Sequence, residues 1–242
     1  MIAGIASLLL TWRYFEKRLS QPPNNVPNLM AMARQSFPLA PVSYFSFFML
    51  WADTLMVGYF LNTAQVALFN TAATVSFVSL FFLGALDSTI YPRLLNIAKQ
   101  ESAKLKAFFW QATLLVIFVL LSVTVLMAAF SAPILSVFKE EYIAAQSSLT
   151  ILLLAQFLRA TSLTFSFMFI IREKVRYLNI ILVLSLIINF ISNVILIKIY
   201  GMEGAAIATL IANGFLAFSV MITFFYQKLL TPESVSSLRH SE

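Results

Sequence analysis

Cysteine is absent from the 242 residues, and the single histidine is His240, third from the C-terminal end. Disulfides and thiolate metal sites are therefore excluded. No apolar run carries histidine, cysteine or clustered carboxylates at metal-ligand spacing, so neither a metal nor another cofactor is expected. Charge is scarce as well: only 11% of residues are Asp, Glu, Lys or Arg, against about 25% in a soluble domain. There is no nucleotide-binding loop. There are no segments of ~10 residues with alternating polarity, so a transmembrane barrel is excluded. Membrane glycosyltransferases and oligosaccharide polymerases need catalytic acids in large outer loops. The longest outer loop expected here, 131–145, offers only Glu140 and Glu141, so no enzymatic activity is expected.

What the chain has is apolar length. Hydrophobic residues make up 60% of it, and mean hydropathy is +0.88. Apolar runs of about 20 residues, enough to cross a hydrocarbon core of ~30 Å, recur along nearly the whole sequence. The expected fold is all-α: a polytopic bundle of six full transmembrane helices preceded by a partial one. The spans are expected near 37–61, 66–91, 108–130, 147–171, 177–199 and 204–226. Three segments follow: a helix end and linker over 1–35, a six-helix lobe over 36–227, and a polar tail over 228–242. Residues 1–11 are apolar but too short to span, and no signal-peptide pattern surrounds them. They read as the end of a helix whose beginning is missing. Asn62-Thr63-Ala64-Gln65 is the turn of a tight hairpin, the second span is expected to exit at Tyr91-Pro92-Arg93, and Tyr200-Gly201-Met202-Glu203 turns the chain into the last span.

The net charge of +6 does not call for a nucleic acid, because the basic residues are segregated. Thirteen of the 16 Lys and Arg fall on one side of these spans, from Arg13 to Arg239. Only Lys139 and Lys198 fall on the other, and Arg159 lies within a span. The positive-inside rule makes the first side cytoplasmic. The expected location is the bacterial cytoplasmic (inner) membrane, with the C-terminus in the cytoplasm.

Three ionisable residues lie inside spans: Asp53, Asp87 and Arg159. A charge at the bilayer centre costs roughly 2.5–3.5 kcal/mol on insertion scales, so it normally faces a partner or water. At ~1.5 Å per residue, Asp53 lies roughly 24 Å and Arg159 roughly 18 Å from the basic side. They can pair if their spans are neighbours. Asp87, about 6 Å deep, is expected to reach interfacial water or Arg93. Arg159 has two readings: a counter-charge that neutralises Asp53, or a guanidinium that forks onto phosphate oxygens. Gln156, Arg159, Ser162 and Ser166 follow helical spacing, which favours a wet face. Ser185, Asn189 and Asn193 recur every fourth residue and suit interhelical hydrogen bonds. Gly204, Ala208 and Ala212, beside Ala205, Thr209, Asn213 and Ala217, form a small-residue face that is expected to pack closely.

Several motifs carry a family resemblance. Asp53-Thr54-Leu55-Met56-Val57-Gly58-Tyr59-Phe60, the short turn, and Val66-Ala67-Leu68-Phe69-Asn70-Thr71-Ala72 resemble a pattern of the Wzx-type oligosaccharide flippases. These polysaccharide biosynthesis proteins share a superfamily with the multidrug and toxin extruders. Ile90-Tyr91-Pro92-Arg93-Leu94 and Gly201-Met202-Glu203-Gly204-Ala205-Ala206-Ile207-Ala208-Thr209 are similar to two further family segments. Ala67 departs from the usual Gly, and Phe69 or Asn70 stands where Tyr is usual. The resemblance covers about 30–226 and implies one lobe, the C-terminal half, of a two-lobe transporter. It implies alternating-access translocation of an undecaprenyl-diphosphate-linked oligosaccharide. The implied partners are that lipid, the membrane lipids and a separately encoded N-terminal lobe. Headgroup contacts are expected from Arg159, Gln156, Asn189 and Asn193, with Asp53 as counter-ion or as the site of a coupling cation. Two other readings remain open: a multidrug extruder lobe coupled to Na⁺ or H⁺, and an inactive truncated remnant or non-transporting interaction protein.

Overall fold

The structure, a computed structural model, describes residues 40–100 and 102–230. The helix end expected at 1–11, the linker and most of the polar tail lie outside these residues. Helices run in the order α1 (Ala40–Phe60), α2 (Thr63–Ser76), α3 (Val78–Gln100), α4 (Ser102–Ala129), α5 (Ser131–Ser136), a 3₁₀ turn (Glu140–Ala145), α6 (Gln146–Ile171) and α7 (Val175–Tyr226). No strand occurs among the described residues. Four runs are long and apolar enough to cross a membrane: Thr63–Ala98, Lys104–Ala129, Glu140–Ile171 and Val175–Tyr226. The chain is a helical membrane bundle, as composition required.

α7 holds 52 residues, but it is not one rod. At Gly201 the backbone leaves the helical region (φ 61°, ψ −135°), a conformation open mainly to glycine. The chain then folds back so closely that a Cβ on Gly204 would lie 2.0 Å from the carbonyl oxygen of Leu196. The two arms, 175–200 and 202–226, are each about 25 residues, or roughly 37 Å long, and each is of spanning length. The Tyr200–Glu203 turn is therefore present, and two glycines make it: one for its dihedrals and one for its lack of a side chain.

The hairpin between α1 and α2 is also present. Asn62 is the N-cap of α2, and its side-chain oxygen accepts from the Gln65 amide at 2.9 Å. Two expectations are corrected. The second span does not end at Pro92, because α3 continues through it to Gln100. Proline removes one ladder hydrogen bond, but the following turns bury Leu94 and Ala98 completely, and that burial holds the helix together. The segment 131–145, expected as a loop, is largely helical. It is folded into α5 and the 3₁₀ turn, which seat Leu135 and Ala145 in the core.

α6 is the centre of the bundle and packs against α2, α3, α4 and α7. α1 packs on α7 and α2. The apolar core is divided. One cluster contains Leu94, Leu105, Phe109, Phe165, Phe169, Leu178, Phe224 and Leu229. Another contains Val57, Phe69, Leu135, Leu149, Leu153, Ile197 and Ala205. A small third group, with Leu83, Val116, Leu120 and Ala160, ties α3 and α4 to α6. Along α6 and along both arms of α7, a gap separates the first cluster from the second. It falls at 156–159, at 189–193 and near 209.

Replacing Gly204 with alanine is expected to abolish monodisperse protein in detergent extracts, because the clash is with backbone. Gly201→Ala meets no atom within 4 Å and is expected to fold with a lowered Tm, in line with about 1–3 kcal/mol of dihedral strain. Comparing the two melting curves separates the steric from the conformational requirement.

Candidate functional site

The gap between the two apolar clusters is filled by polar side chains. Asp53 projects from α1 with Met56 and Val57 on the buried face, while Trp51, Leu55 and Tyr59 are exposed. The carboxylate is almost fully enclosed. α7 supplies three donors to it. Asn189 Nδ2 donates to Oδ1 at 2.9 Å and Asn193 Nδ2 donates to the same oxygen at 2.7 Å. From the other arm, Thr209 Oγ1 donates to Oδ2 at 2.6 Å. On a straight helix Asn193 and Thr209 would stand roughly 24 Å apart. The Gly201 reversal is what lets one carboxylate bind both arms. Hydrogen bonds to an ionised acceptor are the strong class, each worth about 1.5–3 kcal/mol.

Arg159 on α6 is equally buried. Its charge and that of Asp53 attract across a common cleft. The cleft is also lined by Thr54, Phe69, Gln156, Thr209 and Asn213. Its volume is about 10 Å³, room for one water-sized particle. It is rich in acceptors. Among the described residues, Gln156 Oε1, Asn193 Oδ1 and Asn213 Oδ1 are buried without a hydrogen-bond partner, while the Asn213 amide donates to Ala155 O at 3.1 Å. An unmatched buried acceptor costs about 1–3 kcal/mol, so the two that line the void, on Gln156 and Asn213, favour a donor or a cation within it.

Of the expected site residues, Asp53, Arg159, Gln156, Asn189 and Asn193 all converge on this layer. Asn189 and Asn193 use their amide hydrogens on Asp53. The expected wet face of α6 is not wet. Ser162 and Ser166 are buried, and their hydroxyls donate to their own helix at Arg159 O and Ser162 O, both at 2.7 Å. Serines on a packed helix meet their hydrogen-bonding need this way, so only Gln156 and Arg159 of that stripe reach the cleft. Asp87 stands on α3 outside the cleft, half-buried, with one oxygen enclosed and unpartnered. Thr209 and Asn213 are the residues the sequence reading missed as functional. Their place in a small-residue stripe marked them as packing. The available signal was that both are polar where neighbouring positions are alanine.

No protein-family model matches the chain. Over 221 residues it is 28% identical to the probable low-salt glycan biosynthesis flippase Agl15 of Haloferax volcanii, an alignment covering 86% of this chain and 44% of that protein. The chain thus spans a little under half the length of the curated relative it matches. The similarity is to a flippase rather than to an enzyme, and with the membrane bundle it supports a flippase-like membrane protein at a coarse level.

Removing either buried charge leaves the other uncompensated, a loss of about 3–5 kcal/mol. Asp53→Ala and Arg159→Ala are each expected to lower Tm strongly in detergent. The double variant should lose less than the sum of the two. Additive losses in that cycle would show that the two charges do not act on each other. Thr209→Val is expected to cost less than Asp53→Ala, since two donors to the carboxylate remain.

Proposed function

We propose that this chain is one lobe of a Wzx-type oligosaccharide flippase, the C-terminal half of a two-lobe transporter. Working against a second six-helix lobe, it would translocate an undecaprenyl-diphosphate-linked oligosaccharide across the cytoplasmic membrane by alternating access. The observation that carries the reading is the layer joining Asp53, Asn189, Asn193 and Thr209 to Arg159 within an otherwise apolar bundle. Such groups are costly in a membrane and mark substrate or ion pathways. The flippase relative supports the same class.

The size of the cleft shapes the mechanism. About 10 Å³ admits a small cation or a water and excludes a diphosphate. Headgroup binding therefore belongs to a state in which the cleft is open toward the second lobe. In the closed state Asp53 neutralises Arg159. A cation or proton arriving at Asp53 removes that neutralisation and frees the guanidinium to fork onto phosphate oxygens. Asp53 is then both counter-ion and coupling site, and Arg159, with Gln156 beside it, is the headgroup contact. Asn189, Asn193 and Thr209 hold the carboxylate in place for this exchange. A drug-extruding lobe needs an acid in an apolar cavity, and the guanidinium favours an anionic substrate instead.

The test is complementation of an oligosaccharide-flippase-deficient strain, with and without a supplied N-terminal lobe, together with lipid-linked sugar flipping by the complete transporter. Restoration with the second lobe is expected. Failure in both arrangements would sink the flippase reading. Arg159→Ala should slow flipping by about tenfold or more, equivalent to ~1.4 kcal/mol of barrier, with partial recovery in Arg159→Lys. An unchanged rate in Arg159→Ala would remove the headgroup role.

A further inference from the structure

A second feature lies at the other end of the first apolar cluster, where α4 begins and α7 ends. The turn just past α7, residues 227–230, is docked on the turn between α6 and α7. Arg172 Nε donates to Leu229 O at 3.1 Å, and Lys174 Nζ donates to Gln227 Oε1 at 2.8 Å. The docked turn and the start of α4 enclose a pocket of about 420 Å³. Its walls carry Lys106, Trp110, Phe225, Lys228, Leu229 and Leu230.

Three properties of the pocket point to one kind of ligand. Its charge is of one sign: Lys106 and Lys228 line it, and no carboxylate does among the described residues. Its floor is aromatic and rigid. Trp110 stacks on Phe225 at 6.2 Å and 22°, and behind them Phe109 stacks on Phe224 at 5.2 Å and 21°. Trp and Lys at the start of an apolar span are the residues that sit at headgroup level. Third, Lys228 has φ 46°. The position one residue past a helix end favours glycine, which alone enters this region freely, and any other residue there is strained. The lysine side chain lines the pocket.

We propose that this pocket binds the phosphate headgroup of an anionic membrane phospholipid. The two ammonium groups hold the phosphate, and the Trp110–Phe225 stack with Leu229 and Leu230 receives the first carbons of the chains. A free phosphate meets the lysines but leaves the apolar floor uncovered. A zwitterionic lipid meets the floor but brings its own cation to the lysines. The site stands apart from the transport reading, since it is at the helix ends and its test reads binding rather than flipping.

The experiment measures lipid binding to the full chain in detergent, as a Tm shift and by native mass spectrometry. The probes are phosphatidylglycerol, phosphatidylcholine and inorganic phosphate. Phosphatidylglycerol is expected to bind and raise Tm, with the other two much weaker. A juxtamembrane lysine is worth about fivefold in binding to anionic lipid. Lys106→Gln should weaken phosphatidylglycerol binding by about that factor, and the Lys106→Gln/Lys228→Gln pair by about 25-fold. Lys139→Gln, at the opposite end, should change nothing. The decisive variant is Lys228→Gly, which relieves the strained φ. It is expected to melt no lower than the parent while binding phosphatidylglycerol about fivefold more weakly. Unchanged binding in Lys228→Gly, or equal binding of phosphatidylcholine, would overturn the proposal. Inorganic phosphate binding as tightly as phosphatidylglycerol would overturn it too, by showing a plain anion site.

Discussion

A carboxylate cannot be taken into hydrocarbon without matching its charge and filling its lone pairs, and the arrangement of this bundle follows from how Asp53 is matched. Its partners come from both arms of α7, and its counter-charge stands on α6. α1 is drawn to α7, α7 must double back, and α6 must lie close to both. The glycines at 201 and 204 serve the same end, because without the reversal Asn193 and Thr209 have no common target. The two large apolar clusters supply most of the buried area, but they are non-directional. The polar layer between them sets the register of the helices.

That layer is an incomplete one. Asp53 accepts from Asn189, Asn193 and Thr209, while the amide oxygens of Gln156, Asn193 and Asn213 in the same layer receive no hydrogen bond. A purely structural polar network has every member satisfied, since a partly satisfied one is worse than an apolar core. The unmet acceptors of Gln156 and Asn213 at a water-sized void are what distinguish this layer from a simple interhelical clamp. They are the physical ground for reading it as a place that exchanges occupants.

Much of this was legible in the sequence. Hydropathy showed a helical membrane bundle, because the apolar runs are nearly unbroken with polar turns between, although it ended the second run too early. Asp53 and Arg159 were found because a charge in such a run is conspicuous, and helical rise brought them to similar depths. Asn189 and Asn193 were visible by their spacing, although not their target. Thr209 was hidden, since a threonine among alanines reads equally as packing. Pro92 misled, because its cost is local while the burial of Leu94 and Ala98 that outweighs it is tertiary. The order within 131–145 was unreadable for a similar reason. Its helical turns are short and exist through Leu135 and Ala145, not through any periodic pattern.

The distances along the chain between Asp53 and its partners carry a consequence for biosynthesis. The carboxylate on α1 is separated by 136 residues from Asn189 and by 156 from Thr209. At ~5–20 residues per second, α1 is made roughly seven to 27 seconds before the ribosome supplies the first of those donors. Until α6 brings Arg159, the expense of holding an acidic side chain in the bilayer falls on apolar residues. The helical hairpin of α7, by contrast, brings its two arms together within a few residues of Gly201. α7 is therefore both made well after α1 and the element that locks it into place.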